Sequence, residues 1–346
     1  KYVPCGRFWV RVKHPSFFKV GDDVVIYRPA IQKWISDLKM DQIPPAEDGT
    51  PSNQWLIKDY NLISERRITA KLGDTLHFDN PIMMAIDNEY GGGAVYKASF
   101  PGRINQCGIE NMLIESEYKS DTDNDHGWVA IAMKKVEHSW IRNVTSRYFG
   151  NGLMVLDNNT RFVTVKDCEC LDAKSVIEGG TRYSFSINNA QQCLVIDCQT
   201  TEGRHDCVTG PWCVGPNAFV RVVSRNTHGD IGPHHRWNVG TLYDNIDTDG
   251  QINVQDRGNL GAGHGWAGAN QVLWNCTGEK ICVQNPWVSA KNYSIGTKGT
   301  KYNGYLSNRP DGVWVRQNET VTPLSLFDAQ LELRKREGRL YHIQGN

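Results

Sequence analysis

One short pattern recurs along this chain: an apolar residue, a spacer, Asn or Asp, then a small apolar residue. It is read at Ile141-Arg142-Asn143-Val144, Val165-Lys166-Asp167-Cys168, Val195-Ile196-Asp197-Cys198, Tyr243-Asp244-Asn245-Ile246 and Leu273-Trp274-Asn275-Cys276. The Asn/Asp positions lie 24, 30, 48 and 30 residues apart, and the gap of 48 holds one further unit at Phe219-Val220-Arg221-Val222-Val223. A short β-rich unit cannot bury its own apolar face, so such repeats are stable only when stacked into a column. Asn and Asp at a fixed phase suit a tight corner, and stacked side chains can also bond along the axis. The pattern predicts a β-helix in which Cys168, Cys198 and Cys276 share a core column with Val144 and Ile246.

The rest of the sequence fits one all-β domain. With 346 residues, 33 glycines and no long amphipathic heptads, several helical domains are disfavoured. A β-sandwich has no reason to hold Asn-Cys and Asp-Cys in register over so many units. We divide the chain into an N-terminal β cap with a long loop (1–100), a parallel β-helix (101–322) and a C-terminal helix and tail (323–346). In the first part, a turn is read within Phe17–Ile26 and a hairpin at Arg67–Ala70 with Thr75–Phe78. Pro29–Asn61 reads as a long ordered loop. After Pro323, the apolar spacing through Leu333 predicts a short helix.

Charge narrows the partners. Lys+Arg and Asp+Glu are both 38, so no basic stripe argues for nucleic acid. No apolar run approaches the ~20 residues that span a bilayer, and the sequence reads as a mature secreted chain. Among its sequons, Asn158, Asn292 and Asn318 are the expected glycosylation sites, since Asn143 and Asn275 lie at the corner phase. Of the ten cysteines, Cys168, Cys198 and Cys276 read as small core residues with free thiols. Cys207 and Cys213 bracket Val208-Thr209-Gly210-Pro211-Trp212, a tight loop that a disulfide would close. C-x5-C without a second pair is not a zinc pattern, and no metal site is assigned. Asp121-Thr122-Asp123-Asn124-Asp125 resembles a calcium loop but lacks its central Gly and terminal Glu, so no cofactor is expected, calcium being a minor alternative.

Chemistry concentrates in one stretch. His205, His235 and His264 are 30 and 29 residues apart, about one coil each, and share a face. Beside them stand Arg204 and Asp206, then His234, Arg236 and Trp237, then Asp256, Arg257 and Trp266. Trp212, Trp237 and Trp266 neighbour Gly, Pro or His and read as exposed, whereas Trp128, Trp140 and Trp274 read as packing residues. A strip of His, Arg and Trp suits an acidic polysaccharide: aromatic faces pack on sugar C–H faces, and guanidinium groups reach carboxylates. For β-elimination, Arg236 or Arg257 would neutralise the uronate, His235 or His264 would take the C5 proton, and another His or Tyr243 would protonate the leaving oxygen. Arg204, His205, Asp206, His234, Trp237 and Trp266 would bind substrate. Hydrolysis would need paired carboxyls, for which Asp206, Asp230 and Asp256 are the candidates. A non-catalytic glycan-binding or matrix protein, self-assembling through its lateral faces, is the alternative.

These residues resemble a known family. Val20-Gly21-Asp22 with Arg28-Pro29, Gly91-Gly92-Gly93 with Phe100-Pro101-Gly102-Arg103-Ile104, Gly203-Arg204-His205-Asp206, Gly215-Pro216-Asn217, Asp230–Trp237 and Gly263–Cys276 are similar to secreted right-handed parallel β-helix proteins of the pectin-lyase-like superfamily. The resemblance implies a right-handed parallel β-helix, an extracellular setting and a carbohydrate partner, without implying a particular reaction.

Overall fold

The computed structural model describes residues 2–338. From Ile104 to Val315 the chain winds through parallel strands that all belong to one continuous sheet, each pairing with the equivalent strand a coil later. Register carries one residue of each rung over the last, so that Ile109, Ile141, Val165, Val195, Phe219, Tyr243, Leu273, Ser294 and Trp314 stack in a single file. Phe219 and Tyr243 lie face to face within it, at 5.5 Å and 12°. The neighbouring file holds Val144, Cys168, Cys198, Val222, Ile246 and Cys276, all buried. The expected core and coil pattern is therefore present, and the chain is a parallel β-helix.

The recurring Asn/Asp marks a backbone corner. Asn111, Asn143, Asp167, Asp197, Arg221, Asn245, Asn275, Gly296 and Arg316 take positive φ between 50° and 68° at the same point of successive rungs. Left-handed backbone costs most residues energy, and Asn, Asp and Gly tolerate it best. From Asp167 onward, each corner N–H donates to the carbonyl just before the next corner, as at Arg221 N to Asp244 O (2.8 Å) and Asn245 N to Trp274 O (2.8 Å). Side-chain bonding along the axis occurs between Asn143 and Asn111 (2.9 Å), and Arg221 pairs with Asp197 at 2.6 Å.

The N-terminal segment forms a five-stranded antiparallel sheet of Trp9–Arg11, Thr75–Phe78, Leu62–Leu72, Asp23–Arg28 and Ala94–Lys97 in that spatial order. It includes the expected hairpin. The sheet lies along the flank of the coils. The fully buried Arg66 donates to Gln191 Oε1 (3.0 Å) and Gly215 O (2.9 Å), and Arg103, Glu65, Arg161 and Glu137 form an ion network between sheet and coils. The expected loop over 29–61 contains a helix, Gln32–Asp37. This arm packs Trp34, Ile35, Leu38, Met40, Trp55 and Tyr60 onto Trp237, Val239, Trp266 and Ala269 of the solenoid.

The other terminus also wraps the coils. Asn275 Nδ2 donates to Val321 O and Leu324 O, and Asp244 accepts from Ser325 Oγ (2.8 Å) and Phe327 N (2.7 Å). Helix Leu326–Arg336 follows, capped by Ser325, which accepts from Asp328 N at 3.1 Å. The expected tail beyond residue 338 lies outside the described residues.

No disulfide joins Cys207 to Cys213. Cys207 is a core residue stacked over Phe185, and the turn at Gly210–Trp212 carries Cys213 to the next corner, where its thiol donates to Ala190 O at 2.9 Å. Both thiols are buried, and burial pushes Cys213 up to about 12.

Candidate functional site

The face where successive coils meet the arm gathers Tyr183, His205, His234, His235 and His264. Tyr183 precedes strand Phe185–Ile187, His205 precedes Cys207–Thr209, and His234 and His235 follow Asp230–Pro233. Strand alternation sends Ile231 into the core and leaves Asp230 and His234 on the other side. His264 sits on the turn after Leu260–Gly263, held by the arm through Asn53 N to Ala262 O at 2.9 Å. Gly263, at φ +98°, is required there: a Cβ would lie 2.6 Å from Asn53 O.

The rings form a continuous cluster. Centroid separations are 4.3 Å for His205–His234, 5.0 Å for His234–His235, 5.2 Å for His234–His264 and 4.5 Å for His235–His264. Tyr183 stands edge-on to His205 at 4.9 Å, and its hydroxyl lies 3.1 Å from His234 Nε2. Asp230 anchors the inner end. Its Oδ1 is 2.8 Å from His205 Nδ1, while Oδ2 accepts from Arg257 and from Asn253 Nδ2 (3.1 Å). Tyr302 donates to Asn253 Oδ1 at 2.5 Å and braces that contact.

Burial sets the charges. Burial first, then Arg257 and the neighbouring rings, drives His234 far below the usual histidine range; burial first also lowers His235 to about 4 and His264 to about 3. These three rings are uncharged at neutral pH. Burial alone would raise Asp230, but the charges of Arg257 and His205 hold it well below the carboxylate range. Burial raises the Tyr183 phenol. The face thus presents three uncharged imidazoles, His234, His235 and His264, beside the Tyr183 phenol, with one ionised carboxylate and one guanidinium behind them.

The sequence-predicted residues divide. His205, His234, His235, His264 and Arg257 come together. Arg236 and Arg204 are half-buried beside them, Arg204 donating to Gly179 O at 2.6 Å. Asp206 is directed inward, accepting from Ser184 (2.7 Å), Ser224 (2.6 Å) and Thr227 (2.7 Å), so it knits the coils and is fully buried. Asp256 is fully buried against Arg309 at 2.7 Å. Arg257, its sequence neighbour, pairs instead with Asp230. Tyr243 stays in the core stack. Trp237 and Trp266, expected at the surface, are fully buried by the arm, while Trp128 and Trp140, expected to be packed, are 38% exposed. Tyr183 was missed. Its signal was its spacing, 22 residues before His205 and just after Gly179-Gly180.

The remaining expected sites are elsewhere. Asn318 is exposed and Asn158 partly so, but Asn292 is fully buried, its amide donating to Gly268 O and Gln284 O, which leaves no room for a glycan. Asp121 pairs with Lys174, and Asp123 accepts from Lys119 N and Asp125 N, so these acids close their own loop. Two surface hollows also lie away from the His cluster, one along Phe8, Trp9 and His77 and one around Trp287.

No protein-family model matches the sequence, and no curated protein sequence matches it. Two solved structures are similar in chain course. One is the tailspike protein gp49 from Pseudomonas phage LKA1, at 11% identity and TM-score 0.31 over 93% of this chain and 60% of that one. The other is the Pseudomonas phage phi297 tailspike gp61, at 10% identity and TM-score 0.29 over 88% of this chain and 64% of that one. This chain therefore spans less than two thirds of either, and likeness at this level carries no functional argument; the assignment of a parallel β-helix rests on the strand register itself.

Proposed function

We propose that this face is the active centre of an extracellular polysaccharide lyase of the pectin-lyase-like kind, cleaving an acidic glycan by β-elimination. The observation that carries the reading is the convergence of Tyr183 with His234, His235 and His264, flanked by Arg204 and Arg236. Elimination needs a cation for the uronate carboxylate, a base for the C5 proton and an acid for the departing oxygen. Arg257 is committed to Asp230, which leaves Arg236 for the carboxylate. His235, whose Nδ1 is buried without a partner, takes the C5 proton as the C4–O bond breaks and the C4=C5 double bond forms. Tyr183, held by His234, supplies the proton to the leaving oxygen, and His264 packs the base from the arm side.

The Asp-pair route to hydrolysis has less support. Asp206 is used by three hydroxyls and Asp256 by Arg309, so neither is placed as acid or nucleophile beside a sugar.

The test is ultraviolet absorbance of the unsaturated uronate during incubation with alginate, pectate, ulvan, a glycosaminoglycan and glucuronan. We expect absorbance to rise with one of these, to be abolished by His235→Ala and Tyr183→Phe, and to show a raised KM with Arg236→Ala. His228→Ala, on the surface beside Glu202, retains activity. Retention on a polysaccharide column with neither absorbance nor new reducing ends would replace the lyase reading with a binding protein.

A further inference from the structure

Three buried side chains of the cluster have the composition of a metal-binding set. One ligand atom from each of His205, Asp230 and His234 lies within 4.8 Å of the other two. His205 is 3% exposed, His234 6% and Asp230 8%. Each ring has one nitrogen in use and one without a partner. His205 Nδ1 faces Asp230 and His234 Nε2 faces Tyr183, while His205 Nε2 and His234 Nδ1 are buried with no hydrogen bond. With His235 Nδ1 and His264 Nδ1 they make four ring nitrogens of the cluster buried without a partner, and leaving such an atom unpaired costs ~1–3 kcal/mol.

We propose that His205, His234 and Asp230 bind a divalent first-row transition-metal ion. Two imidazoles and one carboxylate are the donors such ions take, with positions left for water or substrate. Calcium and magnesium are disfavoured, because they call for several oxygen donors and this set offers one carboxylate. Arg257 and Asn253 hold the other carboxylate oxygen, which fixes the Asp230 plane as outer partners of a metal ligand commonly do. The site goes beyond the proposed elimination and does not depend on it.

The experiment uses the full chain stripped with a chelator and titrated with Zn2+ alone and with Co2+ alone. We expect one ion per chain, a raised melting temperature on Zn2+ addition, and a visible Co2+ spectrum of nitrogen and oxygen ligation. His205→Gln and His234→Gln should each weaken binding at least tenfold, with His228→Gln as the unaffected control. Should either cluster variant fail to fold by circular dichroism, the parent's Co2+ spectrum and melting shift still decide. A thiolate-to-cobalt charge-transfer band would place the ion on the cysteines and overturn the assignment. So would less than a tenth of an equivalent bound, or unchanged binding in folded His205→Gln and His234→Gln.

Discussion

Replacing Trp237 tests how the arm is held. This indole is fully buried, edge-on to Trp34 at 5.0 Å and 78° and to Trp55 at 6.0 Å and 76°. Truncating a buried Trp to Ala costs ~3–5 kcal/mol, including the cavity it leaves. Against that stands the Trp237 Nε1–H, buried without an acceptor, whose removal returns ~1 kcal/mol or more. We therefore expect Trp237→Ala to destabilise by about 2–4 kcal/mol, the upper part reflecting its two edge contacts. Trp237→Phe keeps a ring in the slot and removes the orphan donor, so its cost falls to about 1 kcal/mol. With unfolding entropy near 2.1 cal/mol/K per residue over 346 residues, the Ala variant should lower the melting temperature by about 3–5 °C. Trp140→Ala, at a side chain 38% exposed, should cost about 1 kcal/mol or less. Guanidinium midpoints at constant slope, together with thermal melting, measure all three. Equal losses for Trp237→Ala and Trp140→Ala, or a Phe variant as damaged as the Ala variant, would refute the argument.

Other expectations follow from single contacts. Burial alone would raise Glu137, but the Arg161 hydrogen bond and the charges of Arg161 and Arg103 hold it below its ordinary value. Its contribution is therefore present above the ordinary glutamate value of ~4.3 and is lost as pH falls through the lower folded value; the stability gap between parent and Glu137→Gln should shrink over that acidic window. Thiol labelling of the native chain should reach Cys107 and spare Cys207 and Cys213, and mass mapping after unfolding should find the latter two unlinked. Asp206→Ala should cost about 3 kcal/mol in denaturant unfolding, because it strips the acceptor from the buried hydroxyls of Ser184 and Ser224 and the part-buried one of Thr227. Gly263→Ala should loosen the turn bearing His264, read as faster proteolysis within 258–265, and a parent-like digest would contradict the close approach of Asn53.

The coils were legible because their signal is local. The corner residues and the residues on either side repeat in sequence, and even Arg221, which breaks the Asn/Asp rule, could be placed by the apolar residues around it. Trp140 was read as a packing residue although the same pattern places it outside: Ile141 points inward, so strand alternation turns Trp140 out. The fate of Trp237 and Trp266 was not. They neighbour Gly and His, which reads as surface, and what buries them arrives from Trp34, Leu38 and Trp55, about two hundred residues away in sequence. The acidic residues misled for a similar reason. Asp256-Arg257 looks like a local ion pair, yet the two side chains part to Arg309 and Asp230, because Asp256 forms an isolated bridge to Trp266 just past strand Gln251–Val254 and Arg257 leads into the turn that follows. Tyr183 had the right spacing, but one tyrosine after a Gly-Gly turn has no distinguishing pattern until its neighbours are seen in space.

The arm that buries Trp237 also has a consequence for the order in which the molecule is made. Trp34 and Trp55 leave the ribosome before the coils they cover exist, since Trp266 Nε1 donates to Leu38 O across 228 residues of sequence. Throughout that interval an apolar, Trp-rich segment waits without its partner surface, at synthesis rates of ~5–20 residues per second. The arm can close only once the coils that carry Trp237 and Trp266 have been made.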